Sequence, residues 1–266
     1  MYIDPRWIIV VIGSTAAFSS LSPLVHARRF SFFAASLPHS ALFSIAIGYL
    51  FSAALGGHPM TWALVFSIPL ACLLVFFIHR GVSEDSATSA FITFTVSGSV
   101  AAVYYVLTSF PAQVSLWSYI LGDPLLTGWD DAWTVAAVGA VTVATSAFIY
   151  YKQVLIGLDR DFSALSGVRV SLHDYVLAIL LTLSSVSLLK AVGFAIEHIV
   201  ILLPATVATR VAKSAKEFYV SSILLALVAS IIGLLLSILL NLAPAATFGF
   251  VLLALYLVSL LWGERT

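Results

Sequence analysis

Three ionisable residues lie in segments of the chain that are otherwise almost entirely apolar. They are His39, and the adjacent Glu197 and His198 in the stretch KAVGFAIEHIVILLPATVATRVAKS, residues 190–214. A charged side chain near the centre of a bilayer costs at least about 2.5 to 3.5 kcal/mol, so such residues usually have a function. Neutral imidazole suits zinc, copper, iron or nickel, and a carboxylate adds manganese and iron(II). The three residues are therefore candidate ligands of a transition metal.

His39 and Glu197 are predicted to reach a similar depth. At a rise of 1.5 Å per residue, His39 lies about 15 Å along its helix from Arg29, and Glu197 lies about 19 Å from Arg210. Both would then be near the midplane, as a translocation site requires. Neighbouring residues on a helix point about 100° apart, so Glu197 and His198 are not expected to face one ion together. We predict that Glu197 faces the path and that His198 assists it.

Simpler roles stay open for each of these residues. A lone histidine in a membrane helix, such as His39 or His198, often only packs or hydrogen-bonds to a neighbouring helix. Glu197 has fewer alternatives, because Lys190 could pair with it only by extending across the external side. Pro38 precedes His39 and is expected to bend or start the helix there. The remaining histidines lie at predicted helix ends or in loops, where solvation is the expected role: His26, His58, His79 and His173.

Composition places these residues in a membrane protein. Of 266 residues, 61% are hydrophobic and 9% are charged, and the mean hydropathy is +1.10. A soluble domain is about 25% charged, so this chain cannot form an ordinary aqueous surface. The 12 basic and 12 acidic residues balance, which argues against nucleic-acid binding, and the single Cys72 excludes an internal disulfide. We predict an all-α, polytopic helical membrane protein with one transmembrane domain, residues 1–266.

Nine apolar segments approach the length of about 20 residues that a transmembrane helix needs. Eight are full helices, and the ninth, 191–209, is shorter and is bracketed by Gly193 and Pro204. Such interruptions are tolerated only where the backbone is buried in protein or lines a cavity, so this segment is predicted to be discontinuous or re-entrant. The segments are 7–26, 31–55, 61–79, 86–108, 131–151, 174–190, 191–209, 217–240 and 244–262.

Basic residues fall in alternate connections, which predicts the orientation. By the positive-inside rule the basic connections are cytoplasmic, so the C-terminus is inside and the N-terminus outside if all nine elements cross. Arg6 is a mild exception to this rule, because this orientation places it on the outer side. The connections at 56–61, 109–130 and 241–244 hold no Lys or Arg, whereas the basic set comprises Arg28, Arg29, Arg80, Lys152, Arg160, Arg169, Arg210, Lys213, Lys216 and Arg265.

Residues 158–170 predict a short amphipathic helix on the cytoplasmic face. Charged residues are mixed there with apolar ones, and a glycine suits the helix end. Such a helix could dock into a groove on a soluble partner, or it could lie on lipid. The candidate contact residues are Asp159, Asp161, Phe162, Leu165, Gly167 and Val168.

The run RRFSFFAASLPHSALFSIAIG, residues 28–48, resembles the second-helix signature of the permease subunits of zinc and manganese ATP-binding-cassette importers, the ABC-3 family. In that signature paired arginines precede an Asp and then a His-Ala motif. His39 matches the histidine, but Ala35 stands where the family usually has Asp. A usual carboxylate ligand is thus missing, and the hypothesis is that Glu197, where the family more often has an apolar or small residue, compensates.

Four further stretches resemble segments of the same family and follow in family order. They resemble an acidic connection into the fourth helix, a segment before the fifth helix, a cytoplasmic coupling segment and a "VG…LLIIPA" segment. In that order they are HRGVSEDSATSAFITFTVSGSVAA (79–102), WSYILGDPLL (117–126), LDRDFSALSGVRV (158–170) and VGFAIEHIVILLPATVA (192–208).

The resemblance implies a non-enzymatic permease in the plasma or inner membrane that imports Zn²⁺ or Mn²⁺, possibly iron, by alternating access. It implies no covalently bound cofactor. The implied partners are a cytoplasmic ATPase dimer, a second permease copy in a homodimer, an extracytoplasmic metal-binding protein and membrane lipid. The chain has no G-x-x-x-x-G-K-[ST] sequence of its own, which agrees with a separate ATPase. Outer acidic residues attract cations or merely flank helices: Asp123, Asp130 and Asp131.

Two other classes of function remain. A stand-alone secondary transporter driven by protons would also use intramembrane Glu and His, although no inverted repeat is evident. A membrane scaffold that transports nothing would make Glu197 and His198 purely structural.

Overall fold

The computed structural model describes residues 4–110, 122 and 124–263. Within this part the chain is helical and contains no strand, which confirms the predicted all-α class. Most of the segment 117–126, including Asp123, lies outside the described residues. The helices are α1 (Pro5–Ala27), α2 (Ser31–Leu55), α3 (Pro59–His79), α4 (Glu84–Ser109), α5 (Trp129–Leu158), α6 (Arg160–Leu165), α7 (Val170–Ala208), α8 (Ala215–Leu240) and α9 (Pro244–Gly263), with a 3-10 turn at Pro124–Leu126.

The predicted membrane spans are present as helices. In the described residues, 8 helices are long and apolar enough to cross a bilayer, and α6 is the short exception. The predicted segments 174–190 and 191–209 form the single element α7, interrupted at Gly193. Pro38 does not start a helix, because α2 begins at Ser31 and runs through it, and α7 likewise runs through Pro204. The discontinuous segment is thus confirmed, with the break at Gly193.

Gly193 divides α7 into two halves, which we name α7a (170–192) and α7b (194–208). Its backbone has φ 77° and ψ 166°, a conformation that is essentially limited to glycine. Gly122 packs directly on the break: a Cβ atom at Gly122 would lie 2.0 Å from the amide nitrogen of Gly193. Both positions therefore require glycine, one for its torsion angles and one for the close approach.

The chain reverses direction at Gly193. Near the start of α7a, Asp174 pairs with Arg28 directly after α1. Near the end of α7b, the amide of Ala205 donates to Ser22 Oγ over 3.1 Å, again close to the end of α1. Both halves of α7 therefore meet the same end of the bundle. We call this the basic end, since the connections 28–30, 80–83, 159–169 and 209–214 lie there.

Helices α1, α2 and α7 are the most buried elements and form the centre of the bundle. Small polar side chains join them to the outer helices. Ser146 on α5 contacts Ser20 on α1 at 3.0 Å and Tyr219 on α8 at 2.8 Å, and Thr142 contacts Ser184 at 2.8 Å. Hydrogen bonds of this kind between membrane helices contribute about 0.6 kcal/mol each, so packing of apolar side chains supplies most of the stability.

Candidate metal site

His39 and His198 lie side by side on α2 and α7b. Their ring centroids are 6.1 Å apart, and the ring planes are inclined at 79°. The ring of Phe194 contacts both, at 4.6 Å from each centroid. Both histidines are half-buried rather than enclosed. The reversal at Gly193 produces this pair, because it brings α7b back along the first turns of α2.

His198 is held by two backbone carbonyl groups. Its Nδ1 lies 3.0 Å from the Phe194 oxygen, one turn earlier, and its Nε2 lies 2.9 Å from the Ala35 oxygen on α2. A neutral imidazole has only one N–H, so it can donate to only one of these acceptors. If Nδ1–H donates to Phe194, the unprotonated Nε2 faces the Ala35 oxygen, so a metal can bind Nε2 only when the contact with Ala35 opens.

His39 carries no hydrogen bond in the part of the chain that the structure describes. The aromatic rings beside it in the described residues are those of Phe194 and His198. A half-exposed imidazole with two unused nitrogens is available to an ion without the loss of any internal bond. His39 is therefore the member of the pair whose ring nitrogens can bind an ion without first breaking a hydrogen bond.

Glu197 points away from the histidine pair into the protein. It is fully buried and faces Ser185 on α7a. Among the described residues, neither Glu197 carboxyl oxygen nor Ser185 Oγ has a hydrogen-bond partner. We predicted that Glu197 faces the path and that His198 assists, but His198 is the neighbour of His39. The physical reason is the angle of about 100° between adjacent helical side chains, which puts one on the α2 side and the other against α7a.

The described residues supply fewer ligands than a closed metal site needs. No group of three or more His, Cys, Asp or Glu side chains is placed to hold an ion within them. Ala35, where a carboxylate was expected from the resemblance, contributes its carbonyl oxygen to His198 instead. The small methyl side chain of Ala35 leaves room for the His198 ring. His198, rather than Glu197, is thus beside the position of the missing carboxylate.

We expect Glu197→Gln to leave the thermal stability of the purified chain unchanged or to raise it. A buried carboxyl group without partners is costly when charged, and glutamine keeps its shape without a charge. Glu197→Ala is the matched control and should lower the unfolding temperature, because it leaves a cavity. Thermal unfolding in detergent measures both. A large loss of stability for Glu197→Gln would mean that the carboxylate has an essential partner.

A cavity of about 670 Å³ opens at the end of the bundle opposite the basic end. Its walls include His58, Asp130, Asp131 and Lys190. Lys190 Nζ donates to Asp131 Oδ1 over 2.7 Å and so does not pair with Glu197. Of the acidic residues predicted to attract cations, Asp130 is exposed here and Asp131 is neutralised by Lys190.

The short helix predicted within residues 158–170 is present as α6, over Arg160–Leu165. Asp159 caps it by accepting from the amide of Phe162 at 2.8 Å, and Gly167 follows its end with φ 83°. Phe162 and Leu165 are 57% and 89% exposed, and Asp161 and Gly167 are exposed too. Val168 is half-buried. Helix α6 therefore presents two large apolar side chains to the outside at the basic end.

An ionic cluster at the basic end was missed from the sequence. Asp174 accepts from Arg28 through Oδ1, and its Oδ2 accepts from Arg160 Nη2 at 2.6 Å and contacts His79 Nε2 at 2.8 Å. Arg28 Nη1 also donates to Gln153 Oε1 at 2.6 Å. Removing one partner of such a buried pair costs about 3 to 5 kcal/mol. The available signal was Asp174 itself, an acidic residue at the start of a long apolar helix.

The chain matches the family model described as the ABC 3 transport family over residues 3–263. Similar curated proteins include the manganese import system permease protein ScaB of Streptococcus parasanguinis, which is 26% identical over 250 residues, 94% of this chain and 85% of that protein. The manganese transport system membrane protein MntC of Listeria monocytogenes is 24% identical over 239 residues, 90% of this chain and 82% of that protein.

A solved structure has the same fold. A chain of PsaBC from Streptococcus pneumoniae, in complex with a Fab, superposes with a TM-score of 0.80 over 96% of this chain and 89% of that chain. The two sequences are 21% identical. The arrangement of helices described above is therefore an established architecture for a membrane protein.

Proposed function

This chain belongs to the ABC 3 transport family, and from that premise we propose that it is the permease subunit of an importer for a divalent transition metal. The observation that carries the proposal is the family match over residues 3–263, a range that includes all 8 candidate spans of the described residues. The subunit is not itself an enzyme. A separate ATPase supplies the energy, and the permease carries the ion across the membrane.

His39 and His198 are the proposed contacts for the ion in transit. Two imidazoles 6.1 Å apart between centroids, on a half-exposed surface, can bind an ion only transiently. Transient binding suits conduction, because a tight cage would slow release. Water or a second permease copy in a homodimer completes the coordination. Alternating access then exposes the pair first to the cavity side and later to the basic end, which is cytoplasmic by the positive-inside rule.

Two observations bear on the identity of the ion. The relatives named above are manganese permeases, which favours Mn²⁺. The side-chain donors of the described site are imidazoles without a carboxylate, which favours Zn²⁺. Uptake of each labelled ion, measured separately and in competition, identifies the substrate.

Helix α6 is the proposed contact with the ATPase. Its exposed apolar side chains at the basic end suit a groove on a soluble protein. A metal-binding protein docks at the opposite end, where the cavity and its acidic residues lie. The chain itself remains a multi-pass protein of the cell membrane, with its C-terminus on the cytoplasmic side.

The experiment that tests the function is metal uptake by proteoliposomes that contain the chain, its candidate ATPase and its binding protein. We expect uptake of Mn²⁺ or Zn²⁺ that requires hydrolysable ATP. Uptake driven by a proton gradient without the ATPase would instead show a secondary transporter. No uptake under either condition would support a scaffold.

We expect Leu165→Ser to reduce copurification of the ATPase at least about fivefold, because it removes an exposed apolar anchor of α6. Leu126→Ser is the matched control, since Leu126 is 85% exposed, against 89% for Leu165, but lies at the opposite end. Quantitative pull-down from membranes measures both. Equal recovery of the ATPase with the two variants would exclude Leu165 from the contact.

A further inference from the structure

We propose that Asp174 is a positioning residue that ties α6 to the two helices that carry His39 and His198. Asp174 lies near the start of α7a, and its side chain is 3% exposed. One carboxylate oxygen holds Arg28, and the other holds Arg160 and His79. The inference rests on the proposed function, because it assumes that an ATPase moves α6.

Arg160 connects α6, the proposed contact with the ATPase, to the ionic cluster around Asp174. It is the first residue of α6, and its side chain is 43% exposed. Beside it lies an open cavity of about 430 Å³, whose walls include His79, Glu84 and Ser171. Arg160 therefore has room to move while it remains bonded to Asp174. A displacement of α6 is passed to Asp174 through this bond.

Arg28 and α7a connect Asp174 to the histidine pair. Arg28 is separated from α2 only by Arg29, which has a left-handed φ of 57°, and Phe30. Helix α2 then leads to His39. On the other side α7a leads without a break to Gly193, after which α7b carries His198. One carboxylate thus joins α6 to the connection before α2 and to the start of α7a, and these two segments lead to His39 and His198.

The effect of the Arg160–Asp174 bond on transport can be measured separately from its effect on the stability of the fold. Arg28 keeps Gln153 as a second partner and Asp174 keeps Arg28 when Arg160 is removed. Loss of Arg160 is therefore expected to leave the helices assembled but to disconnect α6 from them. A merely structural role would lower the unfolding temperature and leave the ratio of ATP to ions unchanged.

The test uses the complete complex in proteoliposomes and counts ATP molecules hydrolysed per ion transported. Arg160→Gln is expected to raise this ratio about fivefold while ATP hydrolysis and subunit assembly persist, the size of effect seen for residues that couple distant sites. Arg160→Lys keeps the charge and should restore most of the coupling. Arg169→Gln is the matched control, because Arg169 is exposed in the same connection and makes no ion pair among the described residues.

Asp174→Asn is the second variant in this experiment. Asp174 is too deeply buried to touch an ATPase, so an effect of its own on the ratio cannot come from docking. The double variant should match Asp174→Asn alone, because Asp174→Asn already removes the Arg160 ion pair together with those to Arg28 and His79. Should Asp174→Asn fail to fold, Arg160→Gln and its rescue by lysine decide alone. Coupled transport by the wild type with an unchanged ratio in Arg160→Gln overturns this inference only, whereas no ATP-driven uptake by the wild type overturns the proposed function.

Discussion

Replacing His39 with alanine is expected to reduce ATP-driven metal uptake at least about tenfold, while ATP hydrolysis and assembly are retained. His39 is one of only two imidazoles at the proposed site, and its ring makes no hydrogen bond in the described part of the chain. Its removal therefore takes away a metal contact without leaving a buried polar group unpaired. Uptake of labelled metal and phosphate release, measured on the same proteoliposomes, separate transport from hydrolysis.

His26→Ala is the control for this variant. His26 is exposed at the end of α1 and only contacts the ring of Phe218, with centroids 5.6 Å apart. The variant loses the same imidazole atoms, but from a ring that contacts Phe218 on α8 and not the histidine pair, so uptake should stay at the wild-type level. Normal uptake by His39→Ala would show that the ion passes without this contact, and the assignment of the pair would then be wrong.

Replacing Gly193 with alanine is expected to abolish uptake and to lower the unfolding temperature by about 3 to 10 °C. An alanine at φ 77° and ψ 166° is strained by about 1 to 3 kcal/mol. The reversal of α7 is buried, with Gly122 packed on it, so the strain cannot be relieved locally. Any relaxation moves α7b along α2 and separates His198 from His39. Thermal unfolding and uptake measure the two effects.

Gly56→Ala has nearly the same backbone strain without the packing. Gly56 has φ 78° in an exposed connection, and nothing lies within 4 Å of the position of its Cβ. Because the connection can adjust, we expect at most a small drop in the unfolding temperature and full uptake. If Gly193→Ala behaves like Gly56→Ala, the reversal does not position the histidine pair.

The transmembrane spans could be predicted from the sequence because few backbone structures can cross a bilayer. Backbone groups in hydrocarbon must be satisfied within the helix, so long apolar segments such as 61–79 become helices whatever their neighbours are. The course of α7 could not be derived in this way. Gly193 and Pro204 both interrupt the apolar segment 191–209. The helix breaks at Gly193 and not at Pro204, and only the folded structure shows this, through the left-handed φ of Gly193 and its contact with Gly122.

The candidate site was predicted in part. His39, Glu197 and His198 could be identified because an ionisable side chain in an apolar segment costs free energy. Such a segment can be recognised from the neighbouring residues alone. Which neighbour faces α2 depends on helix rotation, and the packing of His198 against Ala35 determines it. The small side chain of Ala35, in place of a carboxylate, was the signal available. The Asp174 cluster was missed because its members come from separate parts of the chain and meet only after folding.

The most direct test of the account compares His198→Phe with Glu197→Gln. The two residues are neighbours, but only His198 lies beside His39. ATP-driven uptake of labelled Mn²⁺ and Zn²⁺ is measured for both variants and the wild type in the same reconstituted complex. The account predicts that His198→Phe loses uptake while it still hydrolyses ATP, and that Glu197→Gln transports like the wild type. Normal transport by His198→Phe together with loss of transport by Glu197→Gln would contradict it.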